Sequence, residues 1–203
     1  MKQALLIFAK NLIYGKVKTR LAATMGNDLA LSVYKQLLSY TQHITFALSF
    51  GKIVFYSDFM EKDDIWGKED FQKQIQIGND LGERIENAFE YAFHQNHNKV
   101  VIIGTDCVEL TSDIINKAFN SLDDHDVVIG PAKDGGYYLL GIKKLNAELF
   151  KKISWSTGDV LNQTLWICKK LNLTVFLLPE LSDIDNEEDY KRALEKYFLI
   201  KIS

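Results

Sequence analysis

The sequence predicts an α/β protein in which a mostly parallel sheet is covered by helices on both faces. Short apolar runs alternate with longer segments of helical periodicity, which is the pattern of parallel strands joined by crossover helices. The chain has 203 residues, 47% of them hydrophobic, which is enough for a sizeable core. No repeat, low-complexity stretch or linker marks a boundary. We therefore expect residues 1–203 to form a single three-layer α/β/α domain with a Rossmann-like sheet.

Seven apolar runs are the candidate strands, because aliphatic, β-branched and aromatic residues suit a pleated, buried surface. They span residues 4–8, 53–56, 74–77, 100–103, 127–129, 137–141 and 174–178.

The longest helical pattern lies between the first two candidate strands. Apolar residues recur there every three or four positions, which places them on one face of a helix. These residues are Leu29, Val33, Leu37, Tyr40 and Ile44. Further helices are predicted over residues 81–94, from Thr111 or Ser112, from Ser156, and after Asn186. The start at Ser156 rests on Asp159 three residues later, a spacing that resembles a capping box.

Charge and cysteine usage argue against several classes of function. The 24 basic and 27 acidic residues are interspersed, so there is no basic face and nucleic acid is not an expected partner. The apolar run in residues 1–10 is too short for a secretory signal or a bilayer span, so we expect a cytoplasmic protein. Cys107 and Cys168 lack C-x-x-C spacing, and the histidines form no H-E-x-x-H pattern, which argues against disulfides and zinc.

A basic loop, residues 10–20, follows the first candidate strand. It combines Lys and Arg side chains with Gly15, where the backbone can approach a ligand closely, and this combination suits a pyrophosphate. A Walker phosphate loop is excluded, because Val17 follows Lys16 where that motif needs Ser or Thr. A solvated basic loop fits the same residues equally well.

The strand at residues 100–103 ends in Gly104-Thr105-Asp106, which brings a carboxylate to the carboxyl edge of the sheet. Mg²⁺ usually takes one or two protein carboxylates plus substrate phosphates, so Asp106 is the leading candidate metal ligand. Cys107 is a weak candidate nucleophile, because no histidine lies near it in sequence.

Two later segments add candidate site residues. Asp134, Gly135, Gly136 and Tyr137 join two candidate strands, and they suit either a binding loop or a tight turn. Residues 182–190 follow the last strand and bring further carboxylates, although an Asn186 helix cap explains part of that run.

Taken together, these motifs resemble the DUF2064 family of candidate glycosyltransferases, which has the GT-A type fold of the nucleotide-diphospho-sugar transferase superfamily. The motifs that carry the resemblance run in order across nearly the whole chain. They are residues 8–10, 15–21, 79–84, 104–107, 134–138, 155–157 and 183–185. The sequence departs from the family pattern at residues 11–14, at Val108 and at Asn186-Glu187, which replace proline-containing stretches.

The resemblance implies a role for each of several residues. Asp106 would hold Mg²⁺ or Mn²⁺, with Asp185 as a second ligand, and Asp134 would be a base on the acceptor side. Gly135, Gly136 and Tyr137 would contact substrate. The nucleotide phosphates would lie near Lys10, Gly15, Lys18, Arg20 and Thr105.

Three functions remain open. The leading hypothesis is metal-dependent transfer of a sugar from a nucleotide-diphospho-sugar to a small-molecule acceptor. The alternative is nucleotidyl transfer, in which a substrate phosphate attacks a nucleoside triphosphate and pyrophosphate leaves; Lys18-Thr19-Arg20-Leu21 also resembles phospholactate guanylyltransferases. The third hypothesis is a nucleotide-binding module without turnover.

Overall fold

Seven strands form one sheet at the centre of the computed structural model, which describes residues 2–198. Their order across the sheet is β3-β2-β1-β4-β6-β5-β7. The strands are β1 Gln3–Ala9, β2 Gly51–Tyr56, β3 Gln72–Ile75, β4 Lys99–Ile103, β5 Val127–Pro131, β6 Tyr137–Ile142 and β7 Val175–Leu177. All seven predicted strands are present, and only β3 is displaced as a whole, with both of its ends two residues earlier than expected.

The prediction of a mostly parallel sheet is confirmed. β1 pairs in parallel with β2 and β4, β2 pairs in parallel with β3, and β5 pairs in parallel with β7. β6 runs antiparallel to both β4 and β5. The short turn between β5 and β6 explains this, because a parallel return needs a crossover of a dozen or more residues.

Six α-helices flank the sheet in the described part of the chain. They are α1 Thr19–Met25, α2 Asn27–Phe46, α3 Leu81–His94, α4 Ser112–Ser121, α5 Val160–Lys170 and α6 Glu187–Ala193. A short 3-10 helix, Ala147–Phe150, precedes α5, and a π-type turn, Leu194–Phe198, follows α6.

The predicted helix starts are confirmed at α3, α4 and α6, but the one at Ser156 is wrong. Thr111 caps α4, and Asn186 forms a capping box at α6. Ser156 lies in a turn with a left-handed φ of 63°, and α5 begins four residues later, at Val160. Asp159 precedes α5 without a side-chain cap. Helix α1 was not predicted, because its residues overlap the basic loop.

Two apolar layers cover the two faces of the sheet, which confirms the three-layer architecture. Along β1, Leu5 and Ile7 belong to the apolar layer that includes residues of α1, α2, α4 and α6, whereas Ala4 and Leu6 belong to the layer that includes residues of α3, the 3-10 helix and α5. Successive side chains point to opposite faces, so a strand buried on both faces is apolar throughout. Each fully buried leucine or isoleucine contributes about 1.5–3 kcal/mol.

The topology brings three loops to one edge of the sheet. β1 and β4 are adjacent and parallel, with Ile7 opposite Ile103, so the loops that follow them leave from neighbouring points. β7 lies at the far end, but the segment after it returns to β4, where the Ile184 amide donates to the Asp106 carbonyl at 3.0 Å. Within residues 2–198, no helix is long and apolar enough to cross a bilayer.

Candidate functional site

A buried tyrosine from α2 holds together the loops that follow β1 and β4. The Lys10 amide donates to Tyr34 Oη at 2.7 Å, and the same oxygen lies 3.1 Å from Thr105 Oγ1. Burial raises the pKa of the Tyr34 phenol, so it stays protonated and can donate as well as accept. Tyr34 therefore positions two predicted phosphate-binding residues. Sequence analysis missed it, although it lies on the apolar face that predicted α2.

Lys18 lies at the centre of the site. Its Nζ atom is 2.6 Å from Asp106 Oδ1 and 3.4 Å from Asp185 Oδ1, and the residue is only 8% exposed. Burial alone would lower the pKa of Lys18, but the charge and hydrogen bond of Asp106, together with the charges of Asp185 and Asp183, outweigh burial, and the pKa is raised. The site therefore contains a buried ammonium group that stays charged.

The local backbone explains why Lys18 points inward. Lys18 has a left-handed φ of 47° at the start of α1, and its neighbours Val17 and Leu21 are buried in the core. With those two side chains anchored, the long Lys18 side chain reaches Asp106, after β4, and Asp185, on the segment that returns to β4 after β7. Arg20, in the first turn of α1, remains largely exposed, with Nη1 3.7 Å from Asp185 Oδ2.

Asp183 is a further acidic residue that sequence analysis did not single out. It lies two positions before Asp185, and the buried Ile184 separates the two partly exposed aspartates. Burial, the Asp106 carboxylate and the other nearby acids outweigh Lys18 and raise the pKa of Asp183 to about 7. The D-I-D spacing was visible in the sequence as the signal for this residue.

The segment with Asp134 forms a tight turn beside the acidic residues. The Gly136 amide donates to Asp134 Oδ1 at 2.9 Å, and Gly135 has a φ of 87°. A Cβ atom on Gly135 would lie 2.0 Å from the Gly158 carbonyl oxygen, so only glycine fits there. Asp134 itself is exposed, and its charge contributes to the raised pKa of Asp183.

The remaining predicted residues lie around this centre. Lys10 and Gly15 are exposed, and Gly15 has the positive φ of 74° that a tight loop requires. Tyr137 is directed away from the acidic residues, because its ring packs edge-on against Trp155 at 6.4 Å on the α3 and α5 face. Cys107 is buried, and its Sγ atom lies 3.5 Å from the Ser182 carbonyl oxygen.

Asn11 connects the basic loop to the loop after β2. Its Oδ1 atom accepts hydrogen bonds from the Asp58 and Phe59 amides at 3.0 and 3.2 Å, and its Nδ2 donates to the Phe59 carbonyl at 2.8 Å. Asn11 is buried, so these bonds satisfy a polar side chain away from water. The segment that lacks the family's proline is thus held by side-chain hydrogen bonds.

The acidic residues suit a divalent metal in donor type but do not enclose one. Oxygen ligands from carboxylates are what Mg²⁺ and Mn²⁺ prefer. Among residues 2–198, no three His, Cys, Asp or Glu side chains are grouped closely enough to hold an ion by themselves. Asp106 and Asp185 both contact Lys18, so any metal there needs further oxygen ligands from a substrate.

The sheet order, the basic loop after β1 and the strand-end aspartates define a protein with the fold of the nucleotide-diphospho-sugar transferases. The family model for DUF2064, described as uncharacterized proteins conserved in bacteria, matches residues 42–157. The chain therefore belongs to the DUF2064 family, and both the predicted resemblance and the predicted fold are confirmed. No curated protein matches the sequence.

Solved structures agree with this assignment. A putative nucleotide-diphospho-sugar transferase from Desulfovibrio desulfuricans G20 is 31% identical, with 98% of this chain and 90% of that chain covered and a TM-score of 0.86. The 4-diphosphocytidyl-2C-methyl-D-erythritol synthase from Anaerococcus prevotii is 12% identical, with coverage of 98% and 96% and a TM-score of 0.62. Rv0371c from Mycobacterium tuberculosis H37Rv, in complex with manganese, is 13% identical, with coverage of 97% and 100% and a TM-score of 0.57. The last two are similar in fold alone.

Proposed function

We propose that the protein is a metal-dependent transferase that transfers a sugar from a nucleotide-diphospho-sugar to a small-molecule acceptor. The observation that carries this proposal is the buried Lys18 ammonium between Asp106 and Asp185. It lies at the carboxyl edge of the sheet, where open α/β sheets bind their ligands. The 31% identical structure from Desulfovibrio desulfuricans G20 supports the same class of reaction. We further propose that residues 1–203 act as one domain in the cytoplasm, which two unpaired cysteines support.

The basic residues are suited to the donor diphosphate. Arg20 is exposed and presents a planar fork of donors, whereas Lys18 is a buried point charge. Together with Lys10, they would neutralise the negative charge that develops on the departing nucleotide diphosphate. Tyr34 keeps the Lys10 backbone beside Thr105, so the loop is positioned before the ligand binds.

Asp106 and Asp185 are the residues that would hold Mg²⁺ or Mn²⁺. When bound, such an ion supplies positive charge to the diphosphate leaving group. The manganese complex of Rv0371c, which shares the fold, is consistent with this role.

On the acceptor side, Asp134 is the proposed base for an inverting transfer, since a sugar hydroxyl is a poor nucleophile at neutral pH. Asp134 is exposed at the edge of the acidic residues, within a turn that Gly135 and Gly136 shape. These two glycines would offer their backbone to the acceptor. Tyr137 would support the turn through its contact with Trp155.

Nucleotidyl transfer is the second candidate, and the Lys18–Leu21 stretch that resembles guanylyltransferases favours it. In that reaction a substrate phosphate attacks the α-phosphate and pyrophosphate leaves. Such enzymes commonly surround a triphosphate with several glycines, whereas the basic loop here has only Gly15, which favours sugar transfer. A binding module without turnover is the third candidate.

A thermal-shift screen tests all three. UDP-, GDP-, ADP-, CDP- and dTDP-sugars and the nucleoside triphosphates would each be added with and without Mn²⁺, because a ligand that binds the native state raises its melting temperature. We expect a diphospho-sugar to stabilise the protein only with metal. Stabilisation by triphosphates alone would favour nucleotidyl transfer, and no shift with any nucleotide would contradict both enzymatic functions. Nucleotide binding without product formation in a subsequent turnover assay would indicate a binding module without turnover.

The Asp106→Asn variant is the matched test of the metal role. It should fold normally but lose the metal dependence of nucleotide binding, because one carboxylate that would hold the ion is neutralised. Unchanged metal dependence would contradict the assignment of Asp106.

A further inference from the structure

The position proposed for the metal already contains a cation. Lys18 Nζ lies within 3.4 Å of both Asp106 and Asp185, and its bond to Asp106 Oδ1, at 2.6 Å, is short for a lysine–carboxylate pair. The ammonium therefore uses carboxylate oxygens that a metal would need as ligands. Because the Lys18 side chain is buried, water screens it poorly from any second positive charge brought to the same oxygens.

Lys18 is also held at that position by the fold. Its backbone begins α1 in a left-handed conformation between the buried Val17 and Leu21, so its Cα atom cannot move away without disrupting the core. Only the flexible side chain can release the carboxylates. The two carboxylates that contact it, Asp106 and Asp185, hold the ammonium in place.

We infer that Lys18 is the resident cation of the nucleotide-free protein and that it competes with a divalent metal for Asp106 and Asp185. This inference rests on the metal role proposed above for those two carboxylates. It predicts that the protein by itself binds Mn²⁺ weakly. The metal binds well only when the Lys18 side chain has moved away, for example toward the phosphates of a donor, to which a lysine is a good partner.

Mn²⁺ binding without nucleotide tests the competition directly. The electron paramagnetic resonance signal of free Mn²⁺ would be followed as protein is added, for the wild-type chain, Lys18→Met and Lys16→Met. We expect Lys18→Met to bind Mn²⁺ at least about tenfold more tightly than wild type, because a buried like charge has been removed. Lys16→Met should not differ from wild type, because it removes the same charge from an exposed position in the same loop. A Lys18→Met/Asp106→Asn double variant should lose the gain.

Equal Mn²⁺ affinity of wild type and Lys18→Met would overturn the inference, and so would an equal gain in Lys16→Met. Far-UV circular dichroism would establish that the variants fold, and Lys18→Gln, which keeps a hydrogen-bond donor, would replace Lys18→Met if that variant does not. If Lys18→Met gains affinity while no nucleotide shifts the melting temperature, the competition stands and the transferase proposal fails.

A measurement on the unmodified sequence provides a second test. Lys18 should react slowly with acetic anhydride, because it is buried and paired. Saturating Mn²⁺ should release the ammonium and increase acetylation of Lys18, detected by peptide mass spectrometry, whereas the exposed Lys16 should react at the same rate throughout. Mn²⁺ binding that leaves the rate at Lys18 unchanged would overturn the competition.

Discussion

Gly82 lies directly beneath the indole of Trp155. A Cβ atom on Gly82 would be 2.1 Å from Trp155 Nε1, so no side chain fits between the start of α3 and the loop before α5. The two residues come from motifs that are separate in the sequence, and both carry the family resemblance. Their contact is a packing constraint: it holds the loop that Tyr137 also contacts.

Replacing Gly82 with alanine should therefore destabilise the protein. Overpacking of this kind costs about 1–3 kcal/mol, which exceeds the roughly 1 kcal/mol that alanine gains over glycine within a helix. Urea unfolding would measure the difference. Gly104→Ala is the matched control, because a Cβ atom there meets no atom within 4 Å. A Gly82→Ala protein as stable as wild type would show that the indole can move freely.

Tyr34→Phe should weaken the coupling between the basic loop and the end of β4. The Lys10 amide would lose its partner, and leaving such a group unsatisfied costs about 1–3 kcal/mol. We expect a lower free energy of unfolding and weaker nucleotide binding. Tyr14→Phe, at an exposed position in the same loop, should change stability by less than about 0.5 kcal/mol. Similar values for the two variants would argue against the role of Tyr34.

Arg20→Gln should weaken binding of the donor nucleotide about tenfold, because a charge-assisted hydrogen bond contributes about 1.5–3 kcal/mol. Lys16→Gln should have little effect, since Lys16, unlike Arg20, has no ion pair with Asp185 in the described residues. Calorimetric titration with the nucleotide found by the thermal-shift screen would compare them. An equal loss in both variants would mean that the loop acts only through its overall charge.

Both cysteines should resist thiol reagents in the folded protein. Cys107 and Cys168 are buried, and burial raises the pKa of Cys168 to about 11, so little thiolate forms up to pH 9. Ellman's reagent should react slowly with the native chain between pH 7 and pH 9 and rapidly with both thiols in guanidinium chloride. Rapid reaction of Cys107 in the native protein would support Cys107 as a candidate nucleophile.

Local patterns in the sequence predicted most of the secondary structure. Apolar runs located the central strands closely, because those strands are buried on both faces of the sheet. The edge strand β3 has no buried residue, and its predicted position was two residues off. Caps identified the starts of α4 and α6, because Thr111 and Asn186 act on amides within three residues. The start of α5 was not predictable in this way, because Ser156 takes its left-handed conformation where the loop packs against Gly82.

The candidate site was likewise only partly predictable from local sequence. Strand ends in the sequence indicated Asp106 and the basic loop, because ligands bind at the carboxyl edge of such sheets, and the family resemblance indicated Asp185. That Lys18 rather than Lys16 or Lys10 enters the acidic environment was decided by the tertiary structure. Its direction depends on the burial of Val17 and Leu21 and on the return of the segment after β7 to β4. Contacts between residues so far apart in the chain have no local signature, whereas the periodicity that forms each strand and helix is local.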